Sequence, residues 1–163
     1  MQQIEGSHDA RGLRFALVVS RYNDFVTDRL ERAAAEALQG AGASADDITV
    51  VHVPGAFELP LAARAAAASG RFDAVVCLGC VIRGETPHFE YISSAVAHGL
   101  TAAAADAGVP ITFGVLTTNS AEQALARAGS GSSNKGWEAA MAALELATLL
   151  KRLAAGAGTE PRR

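Results

Sequence analysis

The sequence predicts an α/β protein, a three-layer sandwich around a four-stranded parallel sheet. Three observations carry this. Four apolar, β-branched segments, at 14–19, 48–53, 74–78 and 111–116, are near-continuous rather than alternating, as parallel strands covered on both faces should be. Helical stretches separate them, and such alternation implies right-handed crossovers and a doubly wound sheet, for which the flavodoxin-like strand order 2-1-3-4 is the natural expectation. The length of 163 residues suits one domain, since domains run to about 100–200 residues.

The elements follow in order. Residues 1–13 are too short for a core, although Gln3–Glu5 could add a strand to a neighbouring subunit. The domain proper spans 14–153. After the first strand, a helix over 26–39 places Val26, Leu30, Ala33, Ala37 and Leu38 on one face and closes at Gly40. Further helices are expected over 59–69 and 89–107. A short one begins near Asn119, where Asn119 and Glu122 have capping-box-like spacing, and a last one covers 136–153. The tail, 154–163, is small, polar and expected to be flexible.

Composition narrows the function. Half of the residues are hydrophobic and 19% are charged, which suits a globular core, but much of that half is alanine. Alanine-rich helices pack closely and bury little area per side chain, which favours extra burial between subunits. A net charge of −3 argues against general nucleic-acid binding. No apolar run is long enough for a membrane span, and the first residues lack the pattern of a secretory signal, which points to the cytoplasm. Cys77 and Cys80 form a C-x-x-C, but they lie in an apolar strand-like run. Residues three apart there point to opposite faces, so apolar packing is expected rather than redox chemistry.

Ligands of open α/β sheets bind outside the carboxyl ends of the strands. Four blocks follow the strands here: SRYNDF, PGAFELP, GCVIRGETPHFEY and TTNSAEQALARAGSGSSNKG. All four are expected to converge on one edge. Tyr22 can stack on a planar heterocycle or simply cover the sheet edge. Gly55 would let backbone amides approach a ligand, and Glu58, near a helix start, can serve a ligand or the helix dipole. Gly84-Glu85-Thr86 ahead of a helix can hold an anion through amides and a hydroxyl. His88 then stands beside that pocket with a side chain suited to proton transfer near neutral pH. His8, His52 and His98 have no such setting. Phe113 is expected near a strand end. Arg127 and Lys135 flank a Gly/Ser loop and suit a phosphate dianion, with surface charge as the plain alternative. GSGSSNKG lacks P-loop spacing, which disfavours nucleotide hydrolysis. No His/Cys/Asp/Glu set has metal-ligand spacing.

SRYNDF, PGAFELP, LGCVIRGETPHF, FGVLTTN, EQALARAG and SNKG, in this order and at these intervals, resemble the motifs of the lumazine synthases over nearly the whole chain. The resemblance implies condensation of 5-amino-6-(ribitylamino)uracil with 3,4-dihydroxy-2-butanone 4-phosphate to 6,7-dimethyl-8-ribityllumazine, phosphate and water, with no metal or organic cofactor. It implies that Tyr22 stacks on the pyrimidine, that Ala56, Phe57 and Glu58 with Cys80, Val81 and Ile82 hold the uracil and ribityl groups, and that Glu85 and Thr86 contact the phosphate. His88 would move protons, Phe113 would cover the ring from a neighbouring subunit, and Arg127 would bind the phosphate with Lys135 close by. The chain departs from the family pattern at Tyr22, where Phe or Trp is frequent, at Cys80, where a small residue such as threonine is common, and at Gly131, where some relatives carry lysine.

The resemblance also implies a homo-oligomer: a pentamer, or twelve pentamers in a hollow shell, towards which the short GSGSSNKG loop leans. Riboflavin synthase would then be a candidate partner. Other classes stay open. A structural shell with little catalysis would go with eroded polar site residues. A flavin carrier would need a Ser/Thr/Gly-rich loop where SRYNDF stands. A riboflavin synthase paralogue would consume lumazine rather than make it.

Overall fold

The structure, a computed structural model, describes residues 1–156. Strands β1 (Phe15–Ser20), β2 (Ile48–Val53), β3 (Ala74–Ile82) and β4 (Ile111–Thr118) form one parallel sheet in the order β2-β1-β3-β4. Helices α1 (Asp24–Gly40), α2 (Leu59–Ala68), α3 (His88–Ala107), α4 (Ala121–Arg127) and α5 (Lys135–Gly156) connect and cover it. The expected sandwich and strand order are therefore present.

Period-two alternation along the strands builds two cores. Phe15, Leu17, Val19, Val76, Leu78 and Cys80 pack with α1 and α5 on one face. Ala16, Val18, Val75, Cys77 and Val115 pack with α2 and α3 on the other. The two cysteines thus lie in different cores, both as free thiols. Burial pushes Cys77 up to about 12 and Cys80 up to about 11, which removes the thiolate a redox pair would need. Continuous burial holds for all of β1 and most of β3. The edge strands β2 and β4 are only partly covered, because each has a neighbour on one side alone.

β3 overhangs its neighbour. It pairs with β1 only from Ala74 to Leu78, where β1 runs out, yet continues beside β4 until Ile82 meets Thr118. The expected strand over 74–78 is four residues short because the apolar run through Val81-Ile82 is all strand.

Other boundaries shift for local reasons. Helix α1 starts at Asp24, behind Asn23, whose φ of 63° places a non-glycine residue in the left-handed region. Gly40 is the last helical residue rather than the stop; the chain turns at Gly42, with φ of 109°. Helix α4 is capped by Ser120, not Asn119: the Ser120 hydroxyl accepts from the Gln123 amide at 3.2 Å, and the Asn119 amide donates to Gln123 Oε1 at 2.9 Å. The capping signal is Ser120–Gln123, one residue along from the Asn119–Glu122 pair.

Helix α5 crosses α1 closely. A Cβ at Gly136 would lie 2.1 Å from the Leu30 carbonyl oxygen, so only glycine fits. Buried Asn134 fixes this start, accepting from the Gly136 amide at 2.7 Å and donating to the Gly129 carbonyl at 2.7 Å. Asp73 ties the foot of β3 to two other elements, accepting from the Arg14 amide at 2.7 Å and pairing with Lys151 of α5 at 2.9 Å.

Parts of the first thirteen residues lie against their own chain. Ser7 bonds Thr148 of α5, Gly6 packs on the Glu145 carbonyl, and Ala10 and Leu13 are buried. Gln3–Glu5 form no strand within the chain, and pairing with a neighbour stays an expectation. Of the expected tail, Ala154–Gly156 complete α5; the rest lies outside the described residues. No helix among the described residues is long and apolar enough to cross a membrane.

Candidate active site

The overhang of β3 creates a cleft. Above the end of β1, the 21–23 turn and the 54–58 segment come together beside the unpaired edge of Cys80–Ile82. The amides of Arg21 and Tyr22 donate to the carbonyls of Val53 and Pro54, at 2.8 and 3.0 Å, locking the two exits to each other. Asn23 Nδ2 donates to the Cys80 carbonyl at 2.9 Å, tying the first turn to the overhang. The resulting cavity of about 640 Å³ is lined by Tyr22, by Ala56, Phe57 and Glu58, by Cys80, Val81 and Ile82, and by Thr86 and His88. That size is normal for a small-molecule site.

Each lining segment has a local cause. Ala56–Glu58 form a 3-10 turn, with the Glu58 carboxylate accepting from the Gly55 amide at 3.0 Å. Glu58 therefore does serve its turn. Gly55 has extended backbone that any residue adopts; what its missing Cβ supplies is room, since that atom would sit 3.1 Å from Glu58 Oε2. His88 is the first residue of α3 and makes no hydrogen bond through its ring among the described residues, so it is available to a ligand. Glu85 lies between Gly84 and Thr86 without lining the cavity.

Tyr22 is 73% exposed and Phe57 60% exposed, so two large aromatic surfaces at the cleft are left open by the chain itself. Asn23, Pro54, Phe89 and Ile92 also line it. Phe89 and Ile92 were not singled out from sequence, although their i, i+3 spacing directly after His88 puts them on one face of the first turns of α3.

Phe113, Arg127 and Lys135 are not in this cleft. Phe113 is the third residue of β4, far from the carboxyl end, and is 46% exposed on the sheet edge. It lines a second cavity of about 760 Å³ between β4 and α5, together with Arg127 and Lys135. The expected convergence of all four blocks therefore holds for three; the fourth returns along the outer edge of the sheet because α4 turns back and α5 starts beside it. In this second cleft Lys135 Nζ pairs with Glu138 at 2.7 Å, whereas Arg127 has no carboxylate partner among the described residues.

Among the described residues, no group of three or more His, Cys, Asp and Glu is placed to hold a metal ion.

A doubly wound domain with a cleft of this size at its strand ends belongs to the flavodoxin-like architecture and has room for a small molecule. Comparison with known proteins narrows it. The family model for 6,7-dimethyl-8-ribityllumazine synthase matches residues 12–151. A relative of that name from Syntrophus aciditrophicus is 55% identical over 149 residues, covering 91% of this chain and 97% of its own. Another of that name, from Chlorobaculum tepidum, is 51% identical over 153 residues, covering 94% of this chain and 99% of its own. The chain belongs to the 6,7-dimethyl-8-ribityllumazine synthase family.

Proposed function

We propose that this chain makes 6,7-dimethyl-8-ribityllumazine in active sites shared between two copies of itself. The reaction is the family's condensation of 5-amino-6-(ribitylamino)uracil with 3,4-dihydroxy-2-butanone 4-phosphate, a step of riboflavin biosynthesis. One observation carries the shared site. The Tyr22–His88 cleft has no lysine or arginine among its lining residues, while the Phe113 cleft, between β4 and α5, holds two cations and an open aromatic ring. A phosphate dianion needs the cations, and a stacked pyrimidine needs both faces covered.

In this reading Tyr22 stacks on the pyrimidine. The 56–58 turn and the open main-chain edge of Cys80–Ile82 hydrogen-bond the uracil and ribityl groups, as a strand partner would. Glu85 and Thr86 give backbone and hydroxyl contacts to the phosphate. Phe113 of the neighbouring copy closes the ring from the other side, and Arg127, with Lys135 beside it, neutralises the phosphate. The pyrimidine amine attacks the ketone and loses water to form an imine, phosphate leaves by elimination, and ring closure expels a second water. His88 gives and takes the protons of these steps. Holding two substrates together supplies the rest, up to about 7–11 kcal/mol of avoided entropy loss.

The exposed apolar residues support the assembly. Tyr22 and Phe57 are exposed at the first cleft, Leu61 and Tyr91 on α2 and α3, and Phe113, Leu146, Leu150 and Leu153 on β4 and α5. Two different surfaces that meet head to tail build a ring when the rotation closes. We read the ring as a pentamer, alone or as one of twelve in a hollow shell, with riboflavin synthase as a candidate partner; sedimentation separates ring from shell. The cytoplasm, expected from the sequence, stays part of this proposal.

The test is complementation. Tyr22→Ala/His88→Ala protein and Arg127→Ala protein, each nearly inactive, are unfolded, mixed in equal amounts and refolded together. Shared sites regain roughly a quarter of wild-type activity, because a random ring pairs intact halves at that rate. Sites contained in single chains would regain nothing.

A further inference from the structure

Arg83 follows the last residue of β3 and joins three elements. Its amide donates to the Thr118 carbonyl at the end of β4, at 2.8 Å. Its Nε donates to Asn119 Oδ1 at 2.9 Å, and its Nη1 donates to the Glu90 carboxylate. Its guanidinium carbon lies 4.6 Å from the centroid of the Phe89 ring. The Glu90 carboxyl is held below its usual range by its own backbone amide and by this guanidinium, so the pair stays charged at neutral pH. Asn119 is itself fixed, since its amide donates to Gln123 of α4.

Between Arg83 and Phe89 runs the segment 84–88, which carries Thr86 and His88. It is exposed throughout and has no regular structure before α3 begins at His88. Among the described residues, none of its backbone amides donates to another element. It is held at its two ends, and Arg83 grips both: its main chain fixes the start at β4, while its side chain binds Glu90 and Phe89 just beyond the end. Arg83 does not line the cleft.

We infer that Arg83 is a positioning residue, clamping the first turn of α3 to the end of β4 so that Thr86 and His88 are presented in reactive geometry. This rests on the site proposed above. A guanidinium suits the task because one rigid plane can donate to two separated acceptors and stack on a ring, which an ammonium cannot reproduce. Each contact is solvent-exposed, with side chains of Arg83 and Glu90 about half open, and exposed pairs add little to global stability. The clamp therefore orders a loop more than it holds up a fold.

The experiment compares Arg83→Ala, Arg83→Lys and Asn119→Ala with wild type in the full oligomer. Steady-state kinetics are measured on both substrates, the free pyrimidine is titrated, and amide hydrogen exchange is followed. For Arg83→Ala we expect kcat to fall and KM for the butanone phosphate to rise, together lowering kcat/KM about ten- to a hundredfold. Affinity for the pyrimidine stays within about twofold, because Tyr22 and the 56–58 turn lie outside the clamp. Arg83→Lys restores only part of the loss, and Asn119→Ala reproduces a smaller version of it. Exchange speeds up at Glu90 and Tyr91, whose amides donate to the Pro87 carbonyl, and not in β1 or β3. Wild-type kinetics in Arg83→Ala, or a loss of kcat with both KM values unchanged and exchange faster across the whole sheet, would overturn the inference. The exchange result does not depend on catalysis, so a wild-type protein that made no lumazine would sink the proposed function and leave the clamp to be judged on its own.

Discussion

The two clefts of this chain are built by opposite means. The Tyr22–His88 cleft exists because β3 outruns β1, and its walls are loops, a 3-10 turn and the main chain of a strand that has lost one of its two partners. The Phe113 cleft exists because β4 is the last strand, and its walls are an open sheet edge and the side of α5. The first carries hydrogen-bonding backbone and one histidine; the second carries positive charge. Neither has what a phosphorylated sugar and a pyrimidine need together. On the proposed reading, splitting the functions this way would make assembly a condition of catalysis.

Substitutions should separate the two regions. Arg127→Ala strips the second cleft of its unpaired cation, and we expect kcat/KM to drop about a thousandfold, comparable to deleting a key charge-stabilising donor. The drop should appear with the phosphorylated substrate and leave pyrimidine binding intact in titrations. His88→Ala acts on the first cleft and should slow kcat by roughly ten- to a hundredfold, at or below the low end for a lost proton-transfer group. Equal, small losses for both would erase the contrast. Gly136→Ala drives a methyl group into the Leu30 carbonyl and must displace the start of α5, a wall of the second cleft alone. A destabilisation of about 2 kcal/mol in urea unfolding is expected, with KM for the butanone phosphate rising and pyrimidine affinity unchanged.

The smallest effect concerns the shared scaffold. Burial alone would raise the Asp73 carboxyl, but the Arg14 amide and the Lys151 ammonium win and hold it below its ordinary value of 3.8. Its contribution is fully present above that value and fades as the pH falls below it towards the lowered, folded-state value. Asp73→Asn should thus lose about 1 kcal/mol at pH 7, and the gap to wild type should shrink in urea titrations at pH 3. Neither substrate's KM should move; a selective change in one cleft would mean the scaffold is not common to both.

The sheet was readable because β1 and β3, covered on both faces, need apolar residues at every position, and the helices between them need a repeating apolar face. Reading failed where two physical signals overlap. The run from Ala74 to Ile82 is apolar whether the strand has two partners or one, so the overhang left no mark. Asn119 and Ser120 are both good capping residues, and only the position of Gln123 chose between them. His88, Tyr22 and the 56–58 turn could be placed together because strand exits share an edge. Arg127 and Lys135 could not, since their distance from that edge depends on where α4 turns back, and Phe113 lies well back along β4 itself. Arg83 lies inside the third block, yet its contacts are not legible there, because its partners Asn119 and Glu90 lie 36 and 7 residues away.

Past Leu78 the β1-facing side of β3 is main chain without a strand partner, touched only by the Asn23 side chain at the Cys80 carbonyl among the described residues. Amides and carbonyls present the same pattern whatever side chains are attached to them. If the proposed reading holds, a binding surface made from them would be insulated from mutation: cysteine could stand at 80, or a different aliphatic residue at 81, while the hydrogen-bonding face stayed as it was. Such a surface lets a lineage vary its core packing freely and still read the same small molecule.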